Sequence, residues 1–139
     1  MNKSGDIAEM AMMFKSTKEG FTVYTPHGQD TPIDLILVRG KGKPITVQVK
    51  KGVKQPKAKP HHVDSWKFMV GSLRSSTRTS NSPRLKRYTN EFDIMAVYIS
   101  ELDALCFYKL KDIKHGSTKR WSERNGIREN WNIFNEWDK

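Results

Sequence analysis

Two apolar runs, IDLILVR (Ile33–Arg39) and ITVQVKK (Ile45–Lys51), lie five residues apart in this chain of 139, around the turn signal GKGKP. Such a pattern predicts a β-hairpin. Alternate side chains of a strand point to opposite faces. Ile45, Val47 and Val49 therefore share an apolar face, and Thr46, Gln48 and Lys50 share the other. If Leu35 and Leu37 join the apolar face, Leu35 pairs with Val49, Leu37 with Val47 and Arg39 with Ile45. The loop is then Gly40–Pro44, and Asp34 stands directly opposite Lys50 with Gln48 on the diagonal.

The common explanation of such a group is a cross-strand ion pair with an amide beside it. Two features argue for more. Ile36 and Val38 lie on the same face as Asp34, and a carboxylate and a lysine are costly in so apolar a setting. The second feature is Glu9. Residues 4–18 read as a helix with Ser4 as N-cap, Asp6 in the first turn and Gly20 at the end. Glu9 is the one polar residue from Ile7 to Phe14, and Met12 and Met13 follow on the next turn, which aims the carboxylate at an interior or cleft.

Carboxylates, an amide oxygen and a lysine suit phosphodiester hydrolysis. Mg2+ takes hard oxygen ligands, including one or two carboxylates. In this arrangement Asp34 is the central metal ligand, Glu9 binds directly or through water, Gln48 offers its amide oxygen and Val49 its backbone carbonyl. Lys50 stands ready for the charge that develops on phosphate oxygens. Glu9, Asp34, Gln48 and Lys50 are thus the candidate catalytic set, with Mg2+ as cofactor and Mn2+ as its substitute.

Around this hairpin the chain alternates. Phe21–Tyr24 reads as a strand, TPHGQDTP as a turn region, and FDIMAVYI (Phe92–Ile99) and ALCFYKL (Ala104–Leu110) as further strands. The stretch from Ser117 reads as helical around Gly126, with Ile127, Trp131 and Phe134 as an apolar stripe. Between Lys51 and Arg87 the pattern dissolves, apart from a short ordered piece at HVDSWKFMV. The expected fold is α/β, a mixed sheet flanked by helices, in a single domain over 1–139.

Charge singles out that same middle segment. Lys51–Arg87 holds ten basic residues and one acid, Asp64, whereas the other 102 residues hold fifteen basic and fourteen acidic groups. A near-neutral body with a basic insert at about 51–87 indicates a polyanion partner. Cys106 is the lone cysteine, which excludes a disulfide framework and a multi-cysteine zinc site. With no long apolar run and no signal-like N-terminus, the expectation is a cytoplasmic protein with no membrane partner.

The residues quoted so far form a recognisable series. Gly5-x-x-x-Glu9, Gly20-Phe21-x-Val23, Pro32-Ile33-Asp34 and Gln48-Val49-Lys50 together resemble the PD-(D/E)XK nuclease superfamily, with its restriction-endonuclease-like core. Asp34 matches the motif aspartate, Lys50 its lysine and Glu9 the helix acid. Pro32 stands one place further from Asp34 than in the strict form. Gln48 departs from the usual Asp or Glu, and in this it resembles a QxK branch that includes a small intron-encoded homing endonuclease.

The resemblance implies a metal-dependent endonuclease acting on double-stranded or branched DNA, site-specific in the homing manner. A Holliday junction resolvase is the alternative within the same superfamily. A non-catalytic DNA-binding module, with Gln48 as the mark of lost chemistry, is the alternative of another class. Cutting both strands implies a homodimer or higher homo-oligomer. The resemblance also makes Lys51, Lys54, Lys57, Lys59, Arg74, Arg78, Arg84, Lys86 and Arg87 the expected phosphate contacts.

Other residues carry less. His61 and His62 are adjacent and would point apart on extended chain, with no cysteine or carboxylate cluster beside them. His27 belongs to a surface turn. Trp121, Trp131 and Trp137 suit either base stacking or packing, and Cys106 sits in an apolar strand as core.

Overall fold

The computed structural model describes residues 3–28, 31–74, 84–87, 91–113, 118–124 and 126–138, with the backbone alone at Ser4, 72–74 and 84–87. Helix α1 (Lys3–Lys18) matches the expected helix, although it begins before Ser4, which therefore lies inside it and is not the N-cap. Gly20 ends it at φ +93°, and Phe21 N–H returns to Ser16 O while Gly20 N–H returns to Thr17 O, both at 3.1 Å. That pair of bonds is a Schellman cap, which requires a left-handed residue and so favours glycine.

Strands follow in the order β1 (Thr22–Tyr24), β2 (Leu35–Val38), β3 (Ile45–Lys51), β4 (Val53–Lys54), β5 (Trp66–Met69), β6 (Gly71–Arg74), β7 (Arg84–Arg87), β8 (Ile94–Ile99), β9 (Ala104–Lys109) and β10 (Thr118–Trp121). A four-residue helix, α2 (Leu110–Ile113), lies between the last two, and a 3-10 helix spans Trp131–Asp138. The main sheet runs β1-β2-β3-β8-β9, with β3 and β8 parallel and every other neighbour antiparallel. A second sheet runs β10-β5-β4, and β6 and β7 form a two-stranded ribbon. No helix among the described residues is long and apolar enough to cross a membrane.

Both faces of the main sheet are covered. On one face Leu35, Leu37, Ile45, Val47, Ile94 and Leu105 pack with Ala8 and Met12 of α1 and with Phe21 and Phe134. On the other, Met95, Val97, Ile99 and Cys106 pack with Trp66, Phe68 and Trp121 of the second sheet. Every residue of β8 is buried, as a strand covered on both sides demands. Burial pushes the Cys106 thiol up to about 12, so it is an unreactive core residue.

Three expectations need correction. The segment after Lys51 is not patternless: it contributes β4, β5, β6 and β7, strands too short to show alternation. The C-terminal stretch is not helical from Ser117, because Thr118–Trp121 pairs with β5 as an edge strand. Ile127 is 74% exposed and leaves the expected stripe, while Trp131 and Phe134 do pack on the core.

The third correction concerns the hairpin. Its register is Leu35 with Val47, Ile36 with Thr46 and Leu37 with Ile45, two residues away from the expected pairing. A shift of two keeps every face assignment, so alternation cannot distinguish the registers. The loop decides it. Arg39 does not pair with Ile45, since its guanidinium reaches Asp138 at 2.7 Å and stacks over the Phe21 ring at 4.4 Å. Lys43 N–H then donates to Trp137 O at 2.7 Å, binding the loop to the 3-10 helix.

That helix is therefore structural. Phe134 is fully buried against Phe21, Phe107 and Trp131. Phe134→Ala should cost about 3–5 kcal/mol, read as a lower urea midpoint with an unchanged m-value.

Candidate active site

The new register brings Asp34 to Gln48. Asp34 N–H donates to Val47 O at 2.9 Å, and its Oδ2 accepts from Val49 N–H at 2.8 Å, so the two bonds flank Gln48. One place before β2 begins, a side chain thus replaces a backbone carbonyl, and the two strands part there. Lys50 lies further along β3, in register with Val97 of β8. It interacts with Asp34 through space without a direct ion pair, so the simple cross-strand pair is not what forms. The Val49 group that Asp34 holds is the N–H.

Glu9 reaches this group from α1. Burial raises its pKa, and the charges of Asp34 and then Asp6 raise it further. Burial likewise raises Asp34, against the lowering effects of the Val49 hydrogen bond and Lys50. Lys50 is lowered by burial, against the charge of Asp34. All three ionised groups are therefore held at a cost.

Gln48 is 8% exposed, and its Oε1 is buried with no hydrogen-bond partner among the described residues. An unpaired buried acceptor is rare in a folded protein and costs about 1–3 kcal/mol. An amide oxygen is a hard donor of the kind a divalent cation takes, as are the carboxylates of Glu9 and Asp34. Among the described residues no three His, Cys, Asp or Glu side chains gather into a metal cluster.

Over residues 1–139 the sequence matches the PD-(D/E)XK endonuclease family. The chain belongs to that family. This endonuclease also shares its fold with a solved bacterial homing endonuclease, I-Ssp6803I, at a TM-score of 0.78 and 23% identity, over 95% of this chain and 90% of that one. No curated protein matches the sequence. Family membership makes the chain a nuclease with DNA as its substrate, in a family that generally uses divalent metals.

The expected phosphate contacts fall in three places in this endonuclease. Lys51, Lys54, Lys57 and Lys59 are exposed on β3, β4 and the loop beyond, where Lys54 and Lys57 lie 4.0 and 3.1 Å from Asp64. Arg74, Arg84, Lys86 and Arg87 lie on the β6–β7 ribbon, with Arg74 and Arg84 at paired positions. Arg78 lies outside the described residues. Trp121 is buried core, and Trp131 and Trp137 pack against the first core, so packing explains all three.

Sequence reasoning missed what fixes the wall of the site. Asp93 Oδ2 accepts from both the N–H and the Oγ1 of Thr46 at 3.0 and 3.1 Å, and Asp93 N–H bonds back to Thr46. This lock sets β8 against β3. A threonine on the polar face and an aspartate just ahead of a strand were the available signal.

The raised carboxyls give a linkage with a definite sign. The folded metal-free protein keeps their protons to higher pH than the unfolded chain does, so their contribution to stability falls as pH rises from the ordinary carboxylate range through the folded pKa values. Asp34→Asn removes one such group. The Tm difference, variant minus wild type in EDTA, should grow between about pH 4 and pH 7; a constant difference would show that Asp34 is not strained.

Proposed function

We propose that this endonuclease hydrolyses duplex DNA with a divalent cation, Mg2+ or Mn2+, held by Glu9, Asp34 and Gln48, with the Val49 carbonyl as a further oxygen. The observation that carries this is the orphaned Gln48 Oε1 on the strand whose Val49 N–H holds Asp34, together with the Glu9 and Asp34 carboxyls that burial pushes upward. Such a site is electrostatically incomplete without a cation. A cation bound there supplies Lewis-acid polarisation of the phosphate and a lowered pKa for an attacking water.

The chain's own residues do the rest. The Val49 N–H holds the Asp34 carboxylate in one orientation, so little reorganisation is needed on binding. Lys50, half-buried and carrying a charge that burial disfavours, gains most when negative charge builds on the phosphate oxygens beside it. Gln48 keeps an oxygen ligand while leaving the site one negative charge short of the common acidic form. That favours approach of a polyanion at some cost in metal affinity.

On this reading 1–139 act as one nuclease domain, and the segment at about 51–87 is its DNA arm. A two-stranded ribbon fits the major groove of B-DNA, and β6–β7 carries four of the expected contacts. The shared fold with a homing endonuclease supports site-specific cutting. One copy holds one site, so cutting both strands calls for two copies. The exposed Ile7, Met10, Met13 and Phe14 of α1, beside the edge strand β1, support self-association.

Duplex DNA should be cut with Mg2+ and left intact in EDTA. Asp34→Asn and Lys50→Ala should each lower kcat by about 100- to 1000-fold with duplex binding in EDTA little changed. Full activity in both variants would place the chemistry elsewhere. Gln48→Glu separates the ligand role from a packing role. It should bind divalent cation more tightly by calorimetry and lower the Tm in EDTA, because it buries a further carboxylate.

A further inference from the structure

The second sheet carries cations that belong to neither the active site nor the expected DNA contacts. Gly52 lets the chain cross from β3 into β4, since a Cβ there would lie 2.6 Å from Ile99 Cδ1. Val53, Lys67 and Arg120 then occupy one cross-strand row, Val53 opposite Lys67 and Lys67 opposite Arg120. All three are exposed, while the neighbouring Trp66 and Trp121 are buried behind them with ring centroids 5.8 Å apart. Two like charges directly opposed on a sheet are destabilising. Neither Lys67 nor Arg120 has an acidic partner among the described residues.

The row continues into a groove. Arg120 and Arg124 face His61, His62 and Lys57 across a cavity of about 730 Å3 between the 56–65 loop and the chain after β10. Lys57 is engaged by Asp64 at 3.1 Å, whereas Arg124 makes no ion pair among the described residues. The result is a strip of uncompensated positive charge that begins at Lys67, opposite Val53, which lies three residues beyond Lys50. Three extended residues span roughly 10 Å, and two interstrand steps add roughly 10 Å more. At 3.4 Å per base pair, a strip within roughly 20 Å of the reacting phosphate faces about six base pairs of flanking duplex.

We propose that Lys67, Arg120 and Arg124 bind backbone phosphates of the duplex flanking the cleaved bond. This rests on the nuclease reading above and adds a contact surface to it. Opposed cations that repel in the free protein attract a polyanion together, which is why the strip tolerates their repulsion. Phosphate contact positions the duplex without reading its sequence.

The test is binding of the full chain to a fluorescent duplex in EDTA across a range of salt, where no cleavage is needed. Replacing both charges, Lys67→Gln with Arg120→Gln, should make the slope of log K against log salt shallower by about two. Arg124→Gln should reduce it by about one. The charge-preserving exchange, Lys67→Arg with Arg120→Lys, should keep the wild-type slope. The neutral double variant should melt no lower than wild type, since it removes a repulsion. Wild-type slopes in the neutral variants overturn the proposal alone, as does a charge-preserving variant that loses as much as the neutral one. A wild-type protein that binds no duplex overturns the nuclease reading with it.

Discussion

The bond from Val49 N–H to the Asp34 carboxylate is the interaction on which the site depends. In an antiparallel pair the ladder would continue with a backbone carbonyl at that point. Here a side chain accepts the bond, and β2 and β3 part around Gln48. The same bond holds the carboxylate in place and lowers its pKa against the burial that raises it. One contact therefore fixes the position of the Asp34 carboxylate and partly offsets the burial that raises its pKa, and the strand that supplies it also carries Gln48 and Lys50.

Around that contact the protein holds groups that oppose folding. Burial raises the cost of ionising Glu9 and Asp34, the Asp34 charge adds to it at Glu9, Lys50 is charged where burial disfavours it, and Gln48 Oε1 has no hydrogen-bond partner among the described residues. The second sheet repeats the theme at its surface, with Lys67 set against Arg120. Stability comes from elsewhere. Two apolar cores cover the main sheet on both faces, and the Thr46–Asp93 lock fixes β3 to β8 two residues along β3 from Gln48.

Much of the site was legible from residue types and alternation. The helix acid, the aspartate ahead of β2 and the Gln-x-Lys strand could be chosen from sequence as candidates, and in the structure Glu9 and Lys50 both interact with Asp34 through space, while the bonds of Asp34 to Val47 and Val49 flank Gln48. What sits opposite what was not legible. Placing Asp34 across from Lys50 gave an ion pair, whereas its neighbour across the hairpin is Gln48. The second sheet was invisible because its strands are two to four residues long, below the length at which a period shows.

The sequence alone determined which residues to propose for the site, the faces of the strands and the end of the first helix. Each follows from local physics: a two-residue period, a left-handed glycine, a lone acid in an apolar turn. Only the tertiary structure decided the hairpin register, and with it the partner of Asp34. Slips of two residues preserve the facial pattern, so the choice passed to Arg39 and its bond to Asp138, 99 positions away in the chain. Tertiary structure likewise made an edge strand of Thr118–Trp121, because pairing with β5 outweighs what so short a segment prefers by itself.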